Sequence, residues 1–461
     1  MLVGTLAALP PFGSTPLRAD ETATGRRVDV EVLDVERGTD AIRNFEAEAT
    51  DETVSLLLSI VLESPEHTVG IARLSDPDGR TLHATRFAED SWEARVFRSA
   101  ISSEPLVADG ELSLFLPATP DHPVRAGRYR VEFETDPPDA AVERVSLVAT
   151  RQRGAPPIDA LEHAIDLRLV VLHPDRALAG ERFARSVEGA WRRALDAVLA
   201  PHRLRVGALS VIVAGEAPTR RFSRLEEGAE SAAICPAIGA IAARATSPAS
   251  LAPPSADSGE VETDAGTGSR GAERGGIEDG GNEHGDGRTE PWRPALHVGL
   301  VDEIVDPHGE GWTTGLAPLT GNLVDGASPD GCVLVALGPW RDGDDGATLA
   351  SPTVVALLAA NLLHELGHFA GLVHTTEEDG ETFDLLGDTP RCERRVRDGR
   401  GSSAGEGERD GIVDEIECAD GGGADNLMFW AGDAHSMPWT LSEEQAWLLR
   451  RHPLFAPTAR R

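Results

Sequence analysis

The stretch 352-PTVVALLAANLLHELGHFAGL-372 constrains this chain more than any other. Ser351 can cap a helix and Pro352 suits its first turn, so a helix running to the neighbourhood of Gly371 is predicted. Its apolar residues are almost continuous, which predicts burial on most sides. Polar side chains in such a helix need a partner, because an unpaired polar group is costly to bury. His364 and His368 are four residues apart and share one helix face, about one turn from each other. Glu365 is directed to the side, where it can hold a water without taking a metal position. Gly371 permits a sharp departure that brings His374 back as a third ligand. Three imidazoles leave the fourth tetrahedral position open, the arrangement of a catalytic Zn2+ site and not of a closed structural one. The expected chemistry is hydrolysis by a metal-activated water, with Glu365 as general base.

Elsewhere the pattern is mixed. A length of 461 residues allows roughly three domain-sized units. Residues 1–25 resemble an export signal whose basic beginning is missing, which points to a secreted or periplasmic protein. From 26 to about 150, short β-rich segments such as VDVEVLDV, TVSLLLSIVLES and GRYRVEFET alternate with turn residues. They predict a β-sandwich with wet outer faces, an accessory domain. The second domain, 156–461, opens with the apolar strand AIDLRLVVLHP. A helix over about 180 to 200 follows, with Phe183, Val187, Trp191, Leu195 and Val198 at helical spacing, and then the strand RVGALSVIVAG; together they form a βαβ unit. Residues 246–292 are rich in Ser, Gly, Asp and Glu and predict a disordered insertion.

The formal net charge of -34 argues against nucleic acid or anionic lipid as a partner. No apolar run reaches the length of a membrane span. Four cysteines, Cys235, Cys332, Cys392 and Cys418, allow three complete pairings. Cys392 and Cys418 bracket a charged, Gly-rich insertion and are the first pair to consider.

The eleven residues 364-HELGHFAGLVH-374 carry the extended HExxHxxGxxH pattern. In this the chain resembles the metzincin clan of zinc endopeptidases over about 160 to 452. The resemblance implies a metzincin-like α/β (α+β) peptidase domain, with a mixed five-stranded sheet and an active-site helix, preceded by the all-β sandwich. It implies a methionine turn beneath the metal, at Met428 in 425-DNLMFW-430. His374-Thr375 and 388-DTPRC-392 are most similar to the pappalysin-like members. In those, the segment corresponding to 314-TGLAPLTG-321 would hold an extended peptide substrate along Gly315, Leu316 and Ala317. The segment from Phe429 to Trp439 would line the primary specificity pocket.

Two features qualify the likeness. Trp430 stands where related enzymes often carry an oxyanion-binding tyrosine, and the only tyrosine is Tyr129 in the sandwich segment; His435 or the Trp430 indole are the alternative donors. The resemblance also implies Ca2+ near Asp384, Asp388, Asp410, Asp414 and Glu415, although a solvated acidic loop accounts for the same residues. The implied function is a zinc endopeptidase acting on a peptide or protein. A catalytically inactive, zinc-holding binding or surface module and a zinc amidohydrolase for small molecules are the competing readings.

Overall fold

The computed structural model describes residues 17–18, 26–33, 35–37, 42–88, 91–103, 106–154, 156–172, 181–226, 229–246, 294–305, 312–323, 331–338, 351–394, 412–419, 421–431 and 438–458. The 246–292 segment lies almost wholly outside them, as does most of 1–25.

In the first part of the chain, alternating strands build two sheets around one core. The five-stranded sheet runs in the order Leu17–Arg18, Arg26–Val32, Val142–Gln152, Thr53–Leu62, Glu111–Leu116. The seven-stranded sheet contains Arg43–Ala49, Gly127–Asp136, Thr68–Ser75, Thr81–Ala88 and Ser91–Ser99, with short strands Glu36–Arg37 and Val107–Asp109 added. Successive side chains of a strand point to opposite faces. Leu56, Leu58 and Ile60 therefore join Phe45, Val131 and Phe133 in the core between the sheets.

The outer face of the five-stranded sheet is not wet. Leu57, Phe115 and Val148, of the opposite parity, belong to a second core together with Leu169, Leu363 and Phe455. The run TVSLLLSIVL carries apolar residues on both parities from Leu56 onward, interrupted only by Ser59, because its strand is covered on both faces.

The second part is centred on four parallel strands, Leu204–Val213, His163–Leu172, Ala295–Val301 and Cys332–Ala336, with Gly315–Leu316 antiparallel at one edge. Helix α1 (Glu181–Leu199) joins the first two strands and packs Trp191, Leu195 and Leu199 into the same core as α4 (Pro352–Phe369). The next helix, α2 (Glu216–Phe222), leads to α3 (Ala229–Thr246). Helix α3 covers the opposite face through Ile234 and Ile238, and the disulfide Cys235–Cys332 ties it to the sheet. The short α5 (Glu415–Cys418) and α6 (Glu443–Arg451) follow the metal-site region. No helix among the described residues is long and apolar enough to cross a membrane.

The expected metzincin-like α/β class does not describe this chain. Among the described residues, 21 strands stand against six α-helices, in sheets of five, seven, six and three strands with much antiparallel pairing. The second-part sheet has six strands, not five, because Ala456–Pro457 pairs back onto His163–Leu172. A separate three-stranded sheet stands apart from it, Arg224–Glu226, Glu303–Val305 and Trp312–Thr313. The expectation weighed one conspicuous helix and one βαβ unit. Many short β-forming segments, each weak alone, outweigh them once paired.

The two parts are also bonded to each other. The buried Arg26 guanidinium donates to the carbonyls of Phe455 and of His452, the latter at 3.1 Å, and Ser55 donates to Arg451 O at 2.7 Å. Asn322 donates to the buried Glu111 carboxylate. At this seam His163 and His452 are fully buried, and burial, reinforced by the nearby Arg26 charge, pushes both imidazoles down to about 3. In the unfolded chain they titrate near 6.5, so there they bind protons that the folded state refuses. Their contribution to stability is complete above about pH 6.5 and is lost as pH falls towards 3. Urea unfolding should show one transition for both parts, with a midpoint that drops between pH 7 and 4. His452→Leu should flatten that pH dependence, and Arg26→Ala should cost about 3 kcal/mol by stranding two buried carbonyls.

Candidate metal centre

Helix α4 delivers His364 and His368 from one face, and its backbone ends through bonds from Ala370 N to Leu366 O and from Gly371 N to His368 O. Gly371 has φ +87°, a left-handed turn that costs glycine little, and the chain swings back so that His374 faces the same point. The three Nε2 atoms lie 3.0–3.2 Å from one another. Among the described residues this is the single group of three or more His, Cys, Asp or Glu side chains that could hold a metal ion.

The outer nitrogens establish what the inner ones are. His364 Nδ1 lies 2.7 Å from Leu427 O, and His368 Nδ1 lies 2.9 Å from Leu372 O. A carbonyl only accepts, so each Nδ1 carries the proton and each Nε2 presents a lone pair. His374 Nδ1 lies 2.8 Å from Glu377 Oε2, which fixes the same tautomer. Three lone pairs directed at one point repel unless a cation stands between them. Their spacing is close to the edge of about 3.3–3.4 Å expected around a tetrahedral ion with bonds of about 2.0–2.1 Å. Protons do not fill that role, because burial pushes His364 down to about 4 and His368 well below the ordinary histidine value, with the neighbouring imidazoles adding to it. The donor set therefore fits a metal ion.

Glu365 lies beside the triad and against the sheet edge. A Cβ at residue 315 would collide with its carboxyl group, so the close approach of Gly315 to Glu365 requires glycine. The strand Gly315–Leu316 is the outermost of its sheet, and Ala317 follows it. Burial pushes the Glu365 carboxyl up to about 8. A cation among the imidazoles would draw it back down.

Met428 lies directly under α4, where a Cβ at Gly367 would strike its sulfur. Its turn is held from both sides. Met428 N donates to Asn426 Oδ1 at 2.9 Å, and Met428 O accepts from Thr375 N at 2.9 Å. Asn426 and Gln445 of α6 exchange two amide bonds of 3.1 Å, which tie the turn to α6.

The remaining predicted residues disperse. Cys392 and Cys418 form a disulfide. Asp384 accepts from the Thr389 hydroxyl, Asp388 accepts from Glu444 N at the start of α6, and Asp414 caps α5 through Ile416 N and Glu417 N. These carboxylates are occupied separately and do not converge; Asp410 and the Glu415 side chain lie outside the described residues. The Trp430 indole donates to Val413 O at 2.7 Å, so its N–H is already used and does not serve as an oxyanion donor. His435, with most of the span from Phe429 to Trp439, also lies outside the described residues. Glu377 and the Asn426–Gln445 pair are the site residues that sequence reading passed over. Glu377 had one legible signal, an acid three residues beyond a ligand.

No family model matches the chain, and no curated protein matches it at significance. Solved structures overlap it only in pieces. The enzymatically active domain of bacteriophage CBA120 tailspike protein 4 aligns at 13% identity and TM-score 0.12, over 29% of this chain and 16% of its own. A Cellvibrio japonicus xylanase solved with xylopentaose aligns at 9% and 0.14, over 48% and 37%. A family two carbohydrate esterase from Cellvibrio japonicus aligns at 10% and 0.10, over 44% and 52%. The chain thus spans about half or less of each of these structures, and overlaps at this level carry neither fold nor activity across.

Glu377→Ala should weaken divalent-metal affinity by about 10–100-fold while leaving the fold intact. Competition with a chromophoric chelator would measure the affinity, and unchanged affinity would show that Glu377 does not orient His374.

Proposed function

We propose that this chain is a zinc-dependent endopeptidase, related through its site to the metzincin clan and most like the pappalysin-like members. The observation that carries the reading is the set of three Nδ1-protonated imidazoles presenting unshared lone pairs to one point, with Glu365 beside them at an open strand edge. His364, His368 and His374 would hold the ion. Zinc so held supplies a Lewis acid that activates water and polarises a carbonyl at neutral pH.

The protein's own groups do the remainder. Glu365 takes the proton from the attacking water and returns it to the departing amine. Gly315–Leu316 offers backbone groups at the outer edge of its sheet, which suits an extended peptide better than a compact small molecule. Met428 and the Asn426–Gln445 pair keep the imidazoles in position from below. The two disulfides, Cys235–Cys332 and Cys392–Cys418, are of the kind that persists in an oxidising compartment, which supports action outside the cytosol.

Engagement of the Trp430 indole by Val413 O leaves that position without a donor for the oxyanion, and this favours the second reading, a metal-holding module without turnover. One comparison separates the two. The wild-type chain and Glu365→Gln are each loaded with one zinc per chain and incubated with a mixed peptide library. Endopeptidase activity predicts internal cleavage by the wild type and a loss of at least about 100-fold in Glu365→Gln at equal occupancy. Equal zinc binding with no cleavage by either protein would establish the binding module instead.

A further inference from the structure

A cavity of about 380 Å3 lies at the seam between the two parts of the chain, away from the imidazoles. Five consecutive residues, Glu111 to Phe115, line it. Consecutive side chains of a strand face opposite ways, so a cavity that touches all five runs along the edge of the strand and not across one face. Glu111–Leu116 is the outermost strand of the five-stranded sheet.

Its hydrogen-bond phase is readable. Leu62 N donates to Gly110 O at 2.8 Å, and the register then alternates, so Leu112, Leu114 and Leu116 spend their backbone groups on Thr53–Leu62. Ser113 and Phe115 point theirs away from the sheet. The 2.7 Å contact between the Ser59 and Ser113 hydroxyls, facing each other across the strands, fits a pair that is not backbone-bonded. No strand among the described residues pairs with that edge.

The opposite wall is formed by Pro318–Thr320 and Gly371–Val373. Two leucines lining the cavity, Leu319 and Leu385, are 42% and 39% exposed, unusual for side chains of this size. Asp384, only 3% exposed, also lines it. Its Oδ1 accepts from the Thr389 hydroxyl at 2.6 Å, and its buried Oδ2 has no partner. Burial pushes this carboxyl up to about 7, outweighing the Thr389 hydroxyl, the Leu386 backbone and the charge of nearby Arg391, which act to lower it.

We propose that the open edge of Glu111–Leu116 receives an extended peptide from another protein. The peptide would bond through its backbone to Ser113 and Phe115, place apolar side chains against Leu319 and Leu385, and present a lysine or arginine to Asp384. Charge selects this occupant over a second copy of the chain: a net charge of -34 repels its own copy and attracts a basic partner. The proposal is independent of peptidase activity.

The full chain carrying Glu365→Gln, which leaves the probe intact, is titrated with a fluorescein-labelled octapeptide of alternating valine and threonine with one central lysine. A counterpart with central glutamate is the comparison. Anisotropy should show the lysine peptide binding at least about tenfold tighter, and hydrogen exchange should slow across 111–116. Ser113→Pro removes an outward amide that an edge strand does not need for its own sheet, and should weaken binding about tenfold. Leu319→Glu, at an exposed position, should do the same if Ser113→Pro fails to fold, and Asp384→Asn should abolish the preference for lysine. Absence of binding, equal affinity for both peptides, or protection at 315–317 in place of 111–116 would overturn the proposal. Protection at 315–317 would assign the peptide to the metal cleft, so the peptidase reading would survive it.

Discussion

A helix that is apolar around most of its circumference must be wrapped, and the wrapping of α4 organises this molecule. The parallel sheet covers one side through Val333 and Val335, and α1 adds Trp191 and Leu195. The methionine turn lies beneath at Gly367, and α6 adds Leu448 and Leu449. The sandwich takes part as well, because Phe115 belongs to the same core. Each fully buried Leu or Phe side chain contributes on the order of 1.5–3 kcal/mol, so no single cover suffices and all are held to the helix together.

The candidate metal centre stands where these covers meet. His364 is oriented by a carbonyl of the methionine turn, His368 by one from the loop after α4, and His374 by Glu377 beyond that loop. A histidine side chain turns about two bonds, and a hydrogen bond to its outer nitrogen fixes the orientation of the ring. Precision at the three Nε2 atoms is therefore inherited from the packing of separate segments. The glycines at 315 and 367 mark where two of those segments come closer than any side chain would allow.

What could be read from sequence divides along the same line. The clustering of His364, His368 and His374, the place of Glu365 and the Gly371 turn depend on spacing within one helix and its exit, and spacing is printed in the chain. The βαβ opening was legible because its apolar runs are long. The fold class was not, since it depends on how many short strands pair, and pairing partners are distant in sequence. The sandwich strand Thr53–Leu62 shows the difficulty: a strand expected to have a wet face is buried on both, and the run LLLSIVL, interrupted only by Ser59, is the sign of it. Trp430 could not be assessed either, because its partner, Val413 O, is a backbone atom with no signature. The acidic residues from 384 to 415 look alike in sequence, but Asp384 and Asp388 are separated by what their neighbours offer, a hydroxyl for one and a helix N-terminus for the other.

One short segment links the metal centre to the seam. Gly315 lies against Glu365, and five residues later Thr320 N donates to His368 O while Gly321 N donates to Phe369 O, closing the end of α4. Thr320 does so at φ 65°, a left-handed conformation that a β-branched residue adopts at a cost of order 1–3 kcal/mol, so the surrounding bonds must impose it. Its side chain is also the nearest neighbour of a Cβ placed on Gly371, the residue that turns His374 towards the other imidazoles. Between these points Pro318 and Leu319 border the cavity beside the sandwich edge. A displacement of the seam cannot be confined to the sandwich: it acts on a strained residue bonded to the backbone of His368 and packed beside the Gly371 turn.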